Sequence, residues 1–319
     1  MKSIETLEIP VIIAHFGGKP NYLKFALKSA ANFNNKVVLI GDDTNKDFWQ
    51  NHWDTTLVEF DKYENFQKCY VEMSDYSKKY EIPVWKRMFV LGKWMKENDH
   101  RWIFLVDSDA MTFANYSEEV YPILPNDCIA ALMTSTPKNQ DNFRWASSPH
   151  FSYWTLEALE DFTDFCIEAY SNKNIRDKLE AKWQWHIDNH KLRGIIDMTL
   201  LYLWSKDNPK VANLTTVINN NMTLDHNINS STNYLEDEYQ MQFGLKKLIF
   251  KNGIPYVYNK KLNKEIKFLC IHCQGNAKSV MRFLYYKQLR DFYYIGNLVQ
   301  ATKAKMKLLI KKIISNKWK

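Results

Sequence analysis

Two carboxylates, Asp107 and Asp109, end the apolar segment RWIFLVDSD, which reads as a buried strand. Residues i and i+2 of an extended chain point to the same side, so both carboxylates can reach one divalent cation. Carboxylate oxygens are hard ligands that suit Mg²⁺ or Mn²⁺. A lone Asp-x-Asp is common by chance, and the alternative is a strand-end turn in which Asp109 caps the next segment. We favour a metal-binding role for the two carboxylates, because charge at the end of so apolar a strand is costly without a partner.

A second group of chemically suited residues lies in the segment HCQGNAK, from His272 to Lys278. An imidazole can complete a Mn²⁺ site begun by two carboxylates. Gly275 allows backbone N–H groups to approach a phosphate closely, and Lys278 supplies a positive charge for a diphosphate. A strand-end histidine is more often a core residue than a ligand, but the Gly and Lys that follow it favour a metal and anion site.

The five cysteines are odd in number and irregular in spacing: Cys69, Cys128, Cys166, Cys270 and Cys273. The last two form a C-x-x-C, but no second pair exists to complete a zinc site. We expect reduced thiols in a cytosolic protein, with a redox pair at 270 and 273 as the alternative.

The elements that must position these groups alternate between strand and helix in the first third of the chain. The predicted strands are 9–16, 36–43, 55–60 and 101–109, and the predicted helices are 21–33 and 84–98. Such alternation indicates a mostly parallel sheet with helices on both faces. Ligands bind these sheets at the carboxyl ends of the strands, where Asp42, Asp107 and Asp109 fall.

The rest of the chain continues with helices, a polar region and a late strand. The predicted elements are helices at 155–171, 175–190 and 196–206, a loop region with short strands at 208–235, a strand at 264–273 and a helix at 279–294. No internal repeat or linker divides the chain, so we expect one domain over residues 1–300 and a tail over 301–319.

The composition is that of an ordinary globular protein, with 45% hydrophobic residues and a net charge of +7. Seven lysines and no acid lie within 303–319, where apolar residues from Met306 to Ile313 follow helical spacing. Such a basic amphipathic helix can lie on an anionic membrane, and a solvated tail is the alternative. We expect no nucleic-acid binding, no signal peptide and no membrane span.

Together these segments resemble bacterial GT-A glycosyltransferases that use nucleoside-diphosphate sugars, of the kind found in surface-polysaccharide gene clusters. The resemblance extends over most of residues 9–285. It rests on IIAHFGGKPNYLKFALKSA, the GDD after the second strand, RMFVLGKWMKE with IFLVDSD, PHFSYWTLEALEDF with GIIDMTLLYLW, and HCQGNAKSVM. It implies a GT-A (Rossmann-like) α/β fold, with a mostly parallel sheet flanked by helices in a single domain and a basic C-terminal helical tail.

The resemblance also implies roles for individual residues. Asp107, Asp109 and His272 are implied ligands of Mn²⁺ or Mg²⁺ on the donor diphosphate, and Asp197 is implied to face the sugar or acceptor. The implied donor contacts are Ala14, His15, Phe16, Asp42, Arg87, Ser108, Gln274, Gly275 and Lys278. The candidates for the acceptor side are His150, Ser152 and Tyr153.

Several of these roles have a structural alternative. His15 can close a turn, Arg87 can pair with a surface acid, and Asp197 can cap the helix that follows. The last motif also departs from the family pattern, because Cys273 stands where Phe is usual and Asn276 where Gly is usual.

The implied function is transfer of a sugar from a nucleoside-diphosphate sugar, with UDP favoured, to a hydroxyl of a glycan or glycolipid. The implied setting is surface polysaccharide biosynthesis (capsule or lipopolysaccharide), in the cytoplasm or peripherally on the inner face of the membrane. An inverting enzyme needs a carboxylate base, for which Asp197 is the candidate, and a retaining enzyme needs none there. The His-x-x-Gly-x-x-Lys ending is similar to that of retaining, glycogenin-like members; both outcomes stay open.

Two other function classes compete with this interpretation. A phosphatase of the haloacid dehalogenase type also has an apolar strand ending in Asp-x-Asp. There the motif normally lies near the N-terminus, and Thr or Val follows where this chain has Met111. A non-enzymatic carbohydrate-binding or membrane-surface protein would use the aromatic residues and the basic tail, but it leaves the carboxylate pair and His272 without a role.

Overall fold

The computed structural model describes residues 8–56, 61–76, 78–134 and 143–298. The basic segment predicted over 301–319 lies outside these residues. The described strands are β1 (Val11–Ala14), β2 (Val37–Gly41), β3 (His52–Asp54), β4 (Trp102–Val106), β5 (Ala110–Thr112), β6 (Ala130–Thr134), β7 (Ser147–Thr155), β8 (Val211–Asn213), β9 (Met222–Thr223), β10 (Met241–Gln242), β11 (Leu245–Lys246), β12 (Leu248–Lys251), β13 (Ile254–Asn259), β14 (Lys264–Phe268) and β15 (Cys270–His272).

The described helices are α1 (Asn21–Ala31), α2 (Asp61–Cys69), α3 (Lys78–Glu97), α4 (Tyr116–Glu119), α5 (Leu156–Ser171), α6 (Lys173–Asp188), α7 (Asp197–Ser205) and α8 (Met281–Tyr285). Short 3₁₀ segments span Tyr121–Ile123, Gly275–Val280 and Lys287–Phe292. None of the described helices combines the length and apolarity that a bilayer crossing requires.

A seven-stranded mixed sheet organises the fold, in the order β3-β2-β1-β4-β7-β6-β8. Strands β1 to β4 run parallel, β7 is antiparallel to β4 and β6, and β8 is parallel to β6. Strands β1, β2 and β4 are almost entirely buried, because helices cover both faces of the sheet. The fold is therefore a single mixed α/β domain with a largely parallel central sheet, as the strand and helix alternation predicts.

Alternate side chains of the parallel strands enter two separate apolar cores, one on each face of the sheet. Ile13 and Phe104 pack with Leu27 of α1 on one face. Ile12 and Leu105 pack with residues of α3 and α5 on the other. Because β1 and β4 are parallel neighbours, this packing brings their carboxyl ends to the same edge of the sheet.

Beyond that edge the chain turns back, and β5 pairs antiparallel with β15 outside the main sheet, with Ala110 opposite His272. The preceding strand, β14, belongs to a different sheet, β12-β13-β14-β9. The chain changes partners at Leu269, whose N–H donates to Thr223 O (2.9 Å) and whose O accepts from Phe113 N (3.0 Å). The single strand predicted over 264–273 is thus two strands in two sheets.

Most predicted helices are confirmed with their ends shifted by no more than two residues, although α3 begins at Lys78, ahead of the predicted start at 84. The strand predicted over 55–60 lies earlier in the chain, as β3 at His52–Asp54, because these are the residues that pair with β2. Residues 57–60 of the predicted strand lie outside the described part of the chain. The helix predicted over 279–294 is wrong as one element, because Tyr286 adopts extended backbone (φ −82°, ψ 114°) and separates α8 from the next 3₁₀ segment.

Candidate metal centre

The carboxylates of Asp107 and Asp109 lie in the turn between β4 and β5. The Asp107 N–H donates to His150 O of the neighbouring β7 (2.8 Å), and the Ala110 N–H donates to Asp107 O (3.0 Å). One ligand atom from each of Asp107, Asp109 and His272 lies within 4.8 Å of the others. The fold therefore brings His272 together with Asp107 and Asp109, as the sequence predicts, although His272 and Asp107 are more than 160 positions apart in the chain.

His272 reaches this turn through the pairing of β15 with β5, and the Cys273 N–H donates to Asp109 O (2.8 Å). Its Nδ1 lies 2.8 Å from His226 O, an acceptor that requires Nδ1 to carry hydrogen. The other nitrogen, Nε2, lies 3.3 Å from Asp109 Oδ1. A backbone acceptor at one ring nitrogen is the arrangement that presents the other to a metal ion.

A buried ion pair supports His272 from behind. Lys246 Nζ lies 2.8 Å from Asp225 Oδ1, and both side chains are fully buried. The second oxygen of Asp225 accepts the His272 N–H (3.2 Å). On the flank, the His150 ring stacks on the His272 ring with centroids 4.1 Å apart and planes 12° apart. These contacts hold the imidazole in one orientation.

Charge couples the members of this group. Burial lowers the pKa of His272, but the hydrogen bond and charge of Asp109 outweigh burial and raise that pKa to about 8. Burial raises the pKa of Asp109, but His272 and Lys278 bring it below its ordinary value. Burial lowers the pKa of His150 far below its usual range and that of His226 to about 3. Of these three imidazoles, only His272 favours a proton, which a bound cation would displace.

Lys278 and Gly275 follow the candidate centre in the 3₁₀ segment Gly275–Val280. Lys278 Nζ lies 3.2 Å from Asp109 Oδ2 and 4.9 Å from the centre of the Tyr22 ring, and its side chain is 37% exposed. Gly275 has φ +61°, a conformation that favours glycine, and open space surrounds the position of an added Cβ. The exposed Gln274 accepts from Asn227 Nδ2 through Oε1 (3.1 Å).

Arg87 of α3 joins two of the predicted acids. Its Nη1 lies 2.6 Å from Asp107 Oδ1 and its Nη2 lies 2.7 Å from Asp197 Oδ2. Asp197, the first residue of α7, is 2% exposed and accepts the Met198 N–H at Oδ1 (2.8 Å). Burial raises the pKa of Asp197, and the Arg87 guanidinium opposes that rise. Arg87 thus pairs with acids of the cluster rather than with a surface acid.

The residues that end β1 lie against the turn that holds the carboxylates. His15, which follows Ala14, has its Nδ1 3.0 Å from Ser108 Oγ, whereas its buried Nε2 has no hydrogen-bond partner among the described residues. Lys86 Nζ lies 5.3 Å from the centre of the Phe16 ring. Asp42, after β2, accepts the Gly17 N–H at Oδ2 (2.8 Å) and so holds the glycine turn.

The predicted acceptor-side group is not at an accessible surface. Ser152 and Tyr153 lie in β7, where Ser152 Oγ bonds Pro149 O (3.1 Å) and Trp154 Nε1 (2.8 Å). Tyr153 is 2% exposed and packs against Phe104. His150 lies fully buried against His272. That prediction is wrong for all three residues, because β7 is a central strand with both faces covered.

Sequence reasoning missed the residues that support His272. Asp225, His226 and Lys246 lie in or near the polar region 208–235, where composition predicts only loops. No spacing in that region marks a buried ion pair. All five cysteines carry free thiols, and Cys270 and Cys273 are fully buried. Burial raises the pKa of the Cys273 thiol well above its ordinary value, which disfavours a reactive pair.

Comparison with known proteins gives matches at the level of structure. No family model matches the chain, and no curated protein matches its sequence. Mouse xyloside xylosyltransferase 1 is 12% identical, with 65% of this chain and 85% of that chain covered and a TM-score of 0.43. The galactosyltransferase LgtC, solved with donor and acceptor sugar analogues, is 13% identical over 64% of this chain and 73% of that chain, with a TM-score of 0.38. The bifunctional glycosyltransferase WbbM is 11% identical over 88% of this chain and 48% of that chain, with a TM-score of 0.43.

These matched structures are glycosyltransferases, the class that the sequence motifs resemble. At such identities and scores they assign no donor, acceptor or metal to this chain. The fold and the site themselves define a mixed α/β protein with a carboxylate and histidine cluster at the carboxyl ends of parallel strands.

Proposed function

We propose that the protein is a metal-dependent GT-A glycosyltransferase. It transfers a sugar from a nucleoside-diphosphate sugar, with UDP as the favoured nucleotide, to a hydroxyl of a glycan or glycolipid in surface polysaccharide biosynthesis. The observation that carries the proposal is the convergence of Asp107, Asp109 and His272 within 4.8 Å, with the Lys278 ammonium against Asp109. Two acids, an imidazole and a lysine at the carboxyl edge of a parallel sheet suit a cation and an anionic ligand together.

The donor set of the cluster fits Mn²⁺ or Mg²⁺. Two carboxylates supply hard oxygens, and the Nδ1 contact of His272 with His226 O leaves Nε2 facing the carboxylates. Such an ion would neutralise the negative charge that grows on the leaving diphosphate. Because these ligands must be deprotonated, binding would release the proton that Asp109 now favours on His272.

The remaining predicted residues serve the donor in this proposal. Lys278, partly exposed beside Asp109, can turn one of its N–H groups to a phosphate oxygen and stabilise the same growing charge. The partnerless Nε2 of His15 supports a ligand contact beside Ser108. Ala14, Phe16 and Asp42 would line the base and ribose, and Gln274 and Gly275 the diphosphate.

Asp197 and Arg87 form the proposed sugar and acceptor side. The guanidinium bridges Asp197 to Asp107, which ties the first turn of α7 to the metal ligands. In an inverting reaction Asp197 would accept the proton of the acceptor hydroxyl, and its burial, which raises its pKa, favours that task. In a retaining reaction it would position Arg87 and the sugar. The anomeric configuration of the product, read by proton NMR, distinguishes the two.

The first test is release of nucleoside diphosphate from a panel of nucleotide sugars, with Mn²⁺ and then with EDTA, without acceptor. We expect slow hydrolysis of one donor that stops in EDTA. Asp109→Asn should abolish it, whereas Asp43→Asn, at an exposed acid after β2, should leave it unchanged. If no donor turns over and no nucleotide shifts the melting temperature with Mn²⁺, the proposal fails.

The setting of the enzyme is also a proposal. We place it in the cytoplasm, with the basic segment 303–319 touching an anionic membrane on the inner face and no role for nucleic acid. Sedimentation with vesicles that contain phosphatidylglycerol, compared with neutral vesicles, tests the contact, and equal sedimentation with both would contradict it.

A further inference from the structure

A cavity of about 290 Å³ lies beside the first turn of α7, and none of Asp107, Asp109 and His272 is among the described residues that line it. It is an open cavity lined by α6, the loop that follows it, the start of α7 and the residues that lead into β7. Its size is at the small end of the ~300–1,000 Å³ typical of ligand pockets. Its lining includes Arg144, Trp145, Lys182, Trp185, Arg193 and Thr199, and among the described residues that line it none is acidic.

Lys182 is the most unusual residue of this cavity, because it is 3% exposed. Its ammonium donates to Trp145 O (3.0 Å) and to Thr199 Oγ1 (2.9 Å). Within the described part of the chain it forms no ion pair, and burial lowers its pKa to about 7. A buried ammonium with neutral acceptors alone is costly, and an anion in the cavity would remove that cost.

Further positive charge lines the same space. Arg144 and Arg193 are exposed and contribute to the lining together with Lys191. Charges of one sign on the walls of a cleft raise the local concentration of the opposite ion. Guanidinium groups also match the planar geometry of carboxylate and phosphate oxygens.

The loop that carries Arg193 is firmly held. Arg193 has φ 94°, its N–H donates to Asp75 Oδ1 (2.7 Å), and its O accepts the Asp75 N–H (3.0 Å). Next to it, a Cβ on Gly194 would lie 2.4 Å from Met73 O, so only glycine fits. A non-glycine residue held in so rare a conformation is a feature of functional sites.

Aromatic rings form the rest of the wall. Trp145 stacks on Tyr202 with planes 17° apart, and the Lys182 ammonium lies 5.9 Å from the centre of the Trp145 ring. Trp185 of α6 also faces the cavity. Apolar ring faces beside charged groups suit a sugar that carries an acidic substituent, because its C–H face packs on indole while its acid meets the cations.

The cavity adjoins the proposed reaction site. Ile196 and Met198, which flank Asp197 in sequence, contribute to its lining, and Thr199 belongs to the same turn of α7. Arg193 precedes Asp197 by four residues in the sequence, and it lines the same cavity as both sequence neighbours of Asp197.

We propose that this cavity binds the acidic group, a carboxylate or a phosphate, of an anionic sugar in the acceptor, with Lys182 and Arg193 as its cationic partners. The assignment rests on the proposed glycosyl transfer, and it makes the acceptor an acidic glycan. Asp197 then lies between this anchoring site and the metal ligands, where an acceptor hydroxyl would have to be placed.

The test measures binding of free sugars by calorimetry or ligand-observed NMR, with no nucleotide or metal present. The probes are glucuronic acid, glucose 6-phosphate and neutral glucose. We expect one or both acids to bind at least roughly tenfold more tightly than glucose, and the acid that binds shows whether the site takes a carboxylate or a phosphate. Arg193→Met should weaken that binding by roughly tenfold, the effect of losing one charge-assisted contact.

The controls separate this inference from the proposed function. Lys182→Met removes the buried ammonium and, where the variant folds, should weaken acid binding. Its control is Lys178→Met, which removes an exposed lysine of the same helix, α6, and should leave binding unchanged. Equal affinity for glucose and both acids, or tight acid binding that survives Arg193→Met, overturns the inference. Failure of all three sugars to bind while Mn²⁺-dependent donor hydrolysis persists overturns the anion site alone. Loss of donor hydrolysis with intact acid binding removes the transferase, and with it the assignment of the bound acid to an acceptor, but leaves the anion site itself in place.

Discussion

The buried ion pair between Lys246 and Asp225 allows a quantitative prediction about stability. Both side chains are fully buried, and Asp225 also accepts the backbone N–H of His272. Lys246→Met keeps an unbranched side chain, one heavy atom shorter, but leaves an unpaired carboxylate in the core. Removing one partner of such a pair costs about 3–5 kcal/mol, because the remaining charge has lost its counter-charge.

The assay is unfolding in urea, supported by the melting temperature. We expect Lys246→Met to lower the free energy of unfolding by about 3–5 kcal/mol and the Tm by the order of 10 °C. The double variant Lys246→Met with Asp225→Asn should recover much of the loss, because the amide is neutral and its oxygen can still accept the His272 N–H. Lys173→Met, which breaks the exposed pair with Asp177, is the control and should not move the transition.

Two results would refute this reasoning. A loss below about 1 kcal/mol for Lys246→Met would mean that Asp225 reaches water or changes its protonation state at low cost. A double variant no more stable than the single one would mean that the cost comes from lost packing or from the bond of Lys246 to Asn227 O (2.7 Å). Either outcome would mean that the ion pair between Lys246 and Asp225 does not help to hold His272 in place.

The remaining predictions concern the proposed metal ligands, the buried lysine and one glycine. Asp109→Ala should lower metal-dependent donor hydrolysis by at least about a hundredfold with the circular dichroism spectrum unchanged, and retained activity would remove the assigned ligand set. Burial lowers the pKa of Lys182 to about 7 from its ordinary 10.5. The unfolded chain therefore binds the extra proton, and this residue's contribution makes stability fall as pH falls from about 10.5 to about 7. Lys182→Met should flatten that fall in Tm measured across this range, and an unchanged slope would contradict the lowered pKa of Lys182. Gly194→Ala should destabilise by more than about 1 kcal/mol in urea, because φ is 108° and the new Cβ would meet Met73 O, whereas Gly17→Ala, with a similar φ of 90° and open space, should cost less.

Local sequence patterns account for the strands and for half of the site. The apolar runs around Ile12, Leu39 and Leu105 predict buried parallel strands, and each is one. Once strands are parallel, their carboxyl ends share an edge, and this predicts that Asp42, Asp107 and Asp109 lie along the same edge. The contact of His15 with Ser108 also depends on the direct pairing of β1 with β4, which the structure supplies.

Other features depend on partners that are far away in sequence. The pairing of Ala110 with His272, which brings His272 to Asp107 and Asp109, needs the chain to leave one sheet for another at Leu269, and no local pattern marks that change. The break at Tyr286 is likewise invisible to helical periodicity, which continues across it.

The sequence by itself determined the class of fold, the order of its elements and the residue types able to hold a cation, because periodicity and strand-end chemistry are local properties. Only the tertiary structure decided that Arg87 bridges Asp107 and Asp197, that Asp225 and Lys246 support His272, and that Tyr153 is buried in the core. Burial and ion pairing are properties of the assembled surroundings, so composition cannot reveal an ammonium such as that of Lys182, enclosed without a carboxylate among the residues described.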